Sequence, residues 1–372
     1  MKHTIKSFLP LIMGLFLLNC VNGQINIAEN ALESLSNSIT SEQAELIYSN
    51  VNAFPDKTEL SIAIIENGKV KFIGVKRIND TIKQIENKQK VFEIGSISKV
   101  FTATLLSNFV QEGKVKLTDP IQDYIDYNIK TTQIITFKQL ANHTSGLPRL
   151  PSNLDLFTVD PNNPYKEYDK QKLKEYLTEK IELNQQPGAK YEYSNLGAGI
   201  LGFILTEISG LTYEKLLQEK IFSRYEMTSS TTNRQKVEEM LTKGLNPKGK
   251  ETSNWDFDVL VGAGGILSSV NDLSKFAKAQ LNEENKELVL TQKQTFVINE
   301  NMKIGLGWHI PGKNGKNFIW HNGGTGGYAS SMALNKENKN GVIILSNVSG
   351  FNPQMGNIDK LCFGLMETLN NK

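Results

Sequence analysis

Cysteine is almost absent from this chain: 372 residues hold two, Cys20 and Cys362. So few thiols exclude a disulfide-stapled scaffold and a cysteine metal cluster. Histidine is nearly as scarce at four, and no His-Glu-x-x-His occurs, so neither a catalytic metal nor any other cofactor is expected. No Gly-x-Ser-x-Gly elbow is present, which argues against an α/β-hydrolase. An excess of one charge is lacking too. Lys+Arg number 41 and Asp+Glu 39, and setting aside Lys2 and Lys6 in the acid-free first 23 residues leaves 39 against 39. That balance gives no reason to expect a nucleic-acid partner. After residue 23 no apolar run is long enough to span a bilayer, and no repeat is found. A length of 372 residues allows one large domain or two interleaved ones, each with its own core.

What is present begins with a leader. Met1–Lys6 is basic, Phe8–Leu18 apolar, and Val21-Asn22-Gly23 offers a small-residue cleavage site, the layout of a secretory signal. Residues 1–23 are read as a signal peptide, and the protein is expected in the periplasm or cell envelope. Leu17-Leu18-Asn19-Cys20 also resembles a lipoprotein box, so membrane attachment through acylated Cys20 stands beside cleavage at Gly23. Cys362, in an apolar run with Leu361, Phe363 and Leu365, reads as a buried small hydrophobe rather than a nucleophile.

Residues 42–52 suggest a short amphipathic helix. Ser61–Ile65 and Val70–Val75 are β-rich and joined by Asn67-Gly68, a tight-hairpin signal. Over Ser96–Val110, apolar residues at 97, 100, 101, 105 and 109 keep a helical period. The middle, about 113–248, reads as helical segments separated by turn clusters. Strands return with Ile304–Ile310, Asn317–His321, Ser331–Leu334 and Val342–Leu345, the last pair expected to turn at Lys339-Asn340-Gly341. The fold class is therefore an α/β sandwich, an antiparallel sheet built from both chain ends (about 24–112 and 249–372) and flanked by helices. An all-α lobe (about 113–248) is inserted, with a cleft between the two.

Ser96-Ile97-Ser98-Lys99 is the one Ser-x-x-Lys in the chain. Three-residue spacing puts hydroxyl and amine on one helix face, and Gly95 before it places Ser96 at a helix N-terminus, where free N–H groups can stabilise an oxyanion. A serine that merely caps a helix, with a solvated lysine, is the plainer alternative. Tyr-Ser-Asn occurs at 48–50 and 193–195. The first copy lies within a helix, whereas the second follows Pro187-Gly188 and opens a helix of small residues, where Tyr193 and Asn195 can face a cleft. A core aromatic would explain Tyr193 equally well. His321-Asn322-Gly323-Gly324 ends a strand, and its glycines would let a substrate lie along the backbone while an amide completes an oxyanion hole with that of Ser96. A Gly-rich strand end that simply turns is the alternative. Gly197-Ala198-Gly199-Ile200-Leu201-Gly202 matches a dinucleotide fingerprint but lacks a preceding strand, so close helix packing explains it better.

In combination and in this order, Ser96-x-x-Lys99, Tyr193-x-Asn195 and His321-x-Gly323 resemble the penicillin-recognising serine hydrolases, in the class C β-lactamase and D-Ala-D-Ala carboxypeptidase branch. Phe92-Glu93-Ile94-Gly95, Asn142–Pro148, Pro187–Gly199 and Gly262–Ser269 are similar to the same family, so the resemblance spans roughly residues 45–350. It implies a β-lactamase/transpeptidase-like fold, with Ser96 as acylated nucleophile and Lys99 and Tyr193 as proton carriers. It further implies Asn195 orienting the substrate amide and Lys99, and Gly324 N–H as second oxyanion donor beside Gly323. His321 stands where the β-lactamases proper have a lysine, a departure that resembles the D,D-peptidase and esterase members. The implied partners are small molecules or peptides: a β-lactam, a D-Ala peptide or, alternatively, a short-chain ester. A non-catalytic peptidoglycan-binding role is the remaining alternative.

Overall fold

The computed structural model describes residue 32 and residues 35–369, apart from 80, 156, 314 and 315. The leader, the cleavage site and Cys20 lie outside the described residues. Strands from the first and last thirds of the chain build one antiparallel sheet. β1 (Glu59–Glu66) and β2 (Lys69–Ile78) are joined by Asn67 and Gly68 at φ 51° and 76°, the two positive angles of a type I′ turn that twists with the flanking strands. β3 (Thr81–Ile85) extends that edge. From the other end come β6 (Phe296–Asn299), β7 (Met302–Ile304), β8 (His309–Lys313), β9 (Lys316–Gly324), β10 (Ala329–Asn335) and β11 (Asn340–Ser346). The order is β3-β2-β1-β11-β10-β9-β8-β7-β6. β1 and β11 zip together with Ile62 opposite Ile344, 282 positions away.

Both faces of the central strands are buried, with period-2 alternation deciding which side chain goes where. Ala63, Ile65, Met332, Leu334, Ile343 and Leu345 face the core shared with the helices Ser98–Gln111 and Val270–Gln280. Leu60, Ile62, Ile64, Val342 and Ile344 face the opposite layer, capped by the helices Ser41–Val51 and Gly356–Thr368. Sandwich and antiparallel sheet are thus as the sequence pattern indicated, and Cys362 is fully buried in the second layer.

Two local expectations are corrected. Ile304–Ile310 is not one strand: Gly305-Leu306-Gly307 breaks it, Gly307 taking φ 72° and donating its N–H to the Ala141 carbonyl at 2.8 Å. A Cβ on Gly307 would lie 2.9 Å from the Lys99 carbonyl, so the break lets this segment press against the Ser98–Gln111 helix. The last hairpin turns at Lys336–Lys339 instead of Lys339–Gly341. Asn340 and Gly341 already pair with Asn335 and Leu334, and only Lys339 takes positive φ (51°).

Between Gln111 and β5 (Leu267–Ser269) the chain forms short helices, including Phe137–Ala141 and Lys170–Glu175, around the long helix Asn195–Ser209. More of this stretch is irregular than the helical reading suggested. The Gly-rich face of the long helix is a packing surface. Added Cβ atoms would come within 2.5 Å of the Leu260 side chain at Gly199 and 3.1 Å of Gly262 Cα at Gly202. That is the close approach glycine permits.

Candidate active site

Serine 96 is delivered by a small second sheet. β4 (Val91–Glu93) pairs with β5, and the chain then kinks through Gly95 at φ 51° into a 3-10 turn, Gly95–Ile97, ahead of the Ser98–Gln111 helix. Positive φ is needed there, and so is a missing side chain: a Cβ on Gly95 would sit 2.7 Å from the Gly324 amide nitrogen. Reciprocally, a Cβ on Gly323 would lie 2.9 Å from the Ser96 nitrogen. The end of β9 and the serine turn are thus in backbone contact, which brings the Ser96 and Gly324 amides together. Ser330, paired with Gly323, donates to the Ile94 carbonyl at 2.9 Å and fastens the turn to the sheet.

Ser96 is half-buried at the surface of this turn, whereas Lys99 is only 3% exposed. Lys99 Nζ lies 2.9 Å from Ser96 Oγ and donates to the Ala263 carbonyl at 2.6 Å. Burial holds its pKa well below the ordinary lysine value, and the nearby Arg149 charge adds to the effect. An amine so depressed is able to take a proton from the hydroxyl beside it.

The second segment is set by an N-cap. Ser194 Oγ accepts from the Gly197 amide at 2.8 Å and donates to the Pro148 carbonyl at 2.6 Å, while the Asn195 and Leu196 amides donate to the Arg149 carbonyl. Tyr193 and Asn195 flank this cap in sequence. The Tyr193 ring lies 4.9 Å from Lys99 Nζ and 4.5 Å from the His143 ring. Burial raises its phenol pKa, and the neighbouring Ser96 hydroxyl pulls the other way. Asn195 Nδ2 donates to Tyr165 Oη at 3.1 Å, and its Oδ1 is buried without a partner among the described residues. The expectation that Asn195 also orients Lys99 is not met: the Ala263 carbonyl holds the amine instead.

His321, 1% exposed, shares a 2.6 Å contact between Nδ1 and the Asn322 carbonyl. That fixes the proton on Nδ1 and leaves Nε2 as a buried acceptor with no partner among the described residues. Burial, with His309 and Lys99 close by, lowers its pKa well below the usual histidine value. The ring is therefore neutral at pH 7 and brings no charge to the third motif.

The structure thus gathers Ser96, Lys99, Tyr193, Asn195, His321, Gly323 and Gly324 into one cluster. It adds residues to which sequence reasoning gave no role. His143, at φ 58°, accepts from the Ser194 amide through Nδ1 and packs tilted against the Tyr193 ring. His309, its pKa lowered by burial to about 4, contacts Tyr191 Oη at 2.8 Å and flanks His321. Glu93, whose pKa burial raises to about 7, accepts from Asn254 Nδ2 and the Trp255 amide and so pins the Trp255 loop behind the serine. His143 and Glu93 lay inside stretches similar to the family, the only signal that could have found them.

A two-lobed α/β sandwich with a serine–lysine pair, a tyrosine and a glycine-rich strand end in its cleft is the architecture of a class of serine hydrolases. A family model described as Beta-lactamase matches residues 49–361, and the chain belongs to that family. It is 25% identical over 307 residues to Protein flp of Staphylococcus aureus (strain N315), covering 78% of this chain but 59% of the relative. It is 26% identical to a β-lactamase of Pseudomonas fluorescens, covering 68% of this chain and 70% of the other. Among solved structures, a class C β-lactamase from Rhodobacter sphaeroides superposes with TM-score 0.73 at 18% identity, over 89% of this chain and all of the other. An octameric penicillin-binding protein homologue from Pyrococcus abyssi gives 0.71 at 23%, covering 92% and 77%. At such identities the solved structures bear on the fold alone.

Proposed function

We propose that this protein is an exported serine acyl hydrolase that works through an acyl-enzyme on Ser96, on β-lactam or D-Ala-type peptide amide bonds. The observation that carries the reading is the buried amine of Lys99, its pKa depressed, 2.9 Å from Ser96 Oγ. Lys99 takes the hydroxyl proton as Oγ attacks the substrate carbonyl, and the oxyanion is held by the Ser96 and Gly324 amides. Tyr193 gives its proton to the departing nitrogen or oxygen and recovers one from Lys99, which completes the ester on Ser96. Water then attacks that ester, with Tyr193 and Lys99 carrying its proton away and returning one to Ser96. Export rests on the leader-like first 23 residues, and attachment through Cys20 remains a variant of that reading.

A second reading, a short-chain esterase on the same chemistry, draws on neutral His321. Without a fixed charge at the third motif, a β-lactam carboxylate loses an attractive partner there. Incubation with a fluorescent penicillin and with a fluorophosphonate, followed by mass spectrometry, tests the core of the proposal. The expected result is label on Ser96 and none on a folded Ser96→Ala variant. A folded protein that takes no label on Ser96 would instead support a non-catalytic peptidoglycan-binding role. Kinetics on one β-lactam, one D-Ala peptide and one acetyl ester would then separate the substrates.

A further inference from the structure

The cleft holds one group whose charge the proposed chemistry leaves unused. Lys99 is buried and depressed, and His143, His309 and His321 are all lowered by burial. Arg149 differs: it is exposed, and among the described residues no carboxylate lies within 4.0 Å of it. A guanidinium remains charged across the physiological range and offers five donors in a planar fork. Its carbon lies 5.2 Å from the centre of the Tyr193 ring. Its own backbone carbonyl holds the Asn195 and Leu196 amides, so its backbone is tied to the segment bearing the proton carrier. Beside it stand the unpartnered Oδ1 of Asn195, an acceptor for a substrate N–H, and the Tyr165 ring stacked 4.6 Å from Phe257.

We infer that Arg149 is a specificity-determining residue that recognises an anionic group, a carboxylate above all, on the substrate bound at Ser96. The inference rests on the proposed acyl hydrolase reading and deepens it. Recognition of a negative charge passes from the third motif, where His321 is neutral, to the opposite segment of the cleft. The fork supplies bidentate hydrogen bonds to the carboxylate, a geometry that a point charge does not offer.

The test compares esters matched except for charge: mono-(4-nitrophenyl) glutarate against 4-nitrophenyl pentanoate, and 4-acetoxybenzoate against phenyl acetate. The readout is the ratio of kcat/KM, charged over neutral, within each pair. A ratio discounts any change in nucleophile activation, which matters because Arg149 also bears on the Lys99 pKa. Wild type should favour the charged member of one pair, and the pair showing it assigns the anion to the acyl or the leaving-group side. Arg149→Gln should cut that ratio about 10- to 100-fold, the worth of a hydrogen bond to a charged group. Arg149→Lys should keep part of the preference, and added salt should erode it. Ratios unchanged by Arg149→Gln in both pairs would overturn the inference. Calorimetric binding of the same esters in a Ser96→Ala background repeats the comparison without turnover. Loss of labelling at Ser96 would sink the hydrolase reading, whereas equal binding of charged and neutral esters there would sink the role of Arg149.

Discussion

At the residue scale the proposed chemistry depends on an amine kept out of water. Burying Lys99 disfavours its charged form, which makes it a base and also a liability to stability. Between its lowered folded pKa and the ordinary value of 10.5, the unfolded chain carries a proton that the folded chain lacks. Stability therefore rises with pH across that window. Lys99→Met is expected to abolish turnover while raising stability at pH 7, because an apolar side chain of similar length has no proton to lose on burial. It should also flatten the climb in stability towards pH 10. Denaturant melts at pH 7, 8.5 and 10 would show this, and an equally steep pH dependence in the variant would contradict the assignment. His321 was legible as a departure from lysine. That its ring is sealed and neutral was not, because neither burial nor the Asn322 carbonyl contact leaves a trace in residue type.

At the scale of elements, the site is a meeting of two chain segments through glycine. The serine turn and the end of β9 touch where Gly95 faces Gly324 and Gly323 faces Ser96. Gly95→Ala meets two penalties at once, a positive φ that an L-residue resists and a Cβ 2.7 Å from Gly324 N. Together they should cost about 1–3 kcal/mol of stability and push the two oxyanion amides apart. kcat on a nitrophenyl ester is expected to fall at least tenfold in protein that still melts cooperatively. Wild-type kcat in that variant would mean that the two amides do not form the oxyanion site. The N-cap at Ser194 works similarly on the other wall, since it aims Tyr193 and Asn195 in fixed directions. The Tyr-Ser-Asn triplet was visible in the sequence, and its copy at 48–50 could be set aside because it lies inside the Ser41–Val51 helix.

For the whole molecule, the sheet closes across the chain: β1 pairs with β11, and the first and last described long helices cover one face together. Gln43 Nε2 donates to Thr368 Oγ1 at 3.0 Å, and Cys362 Sγ lies 3.5 Å from the Val342 carbonyl. Burial pushes the Cys362 thiol up to about 12, so it is inert in the folded state. With Cys20 replaced by serine, modification of Cys362 by a disulfide reagent should track global unfolding, slow in native buffer and fast past the denaturation midpoint. Rapid labelling of the native protein would mean that the terminal helices open independently of the sheet.

The sequence by itself determined the sandwich and named the residues from which the proposed chemistry is built. The β-rich runs, the Asn67-Gly68 turn and the Ser-x-x-Lys spacing are local properties, and local geometry follows from residue type and spacing. The tertiary structure alone decided which partners those residues acquired. Ala263, 164 positions away, holds the lysine, and Gly305–Gly307 breaks a strand in order to press on the nucleophile helix. Arg149 stands over Tyr193 because its backbone caps a helix that begins 46 residues later. Contacts at such separations depend on how the lobes pack, and packing is a property of all the side chains together.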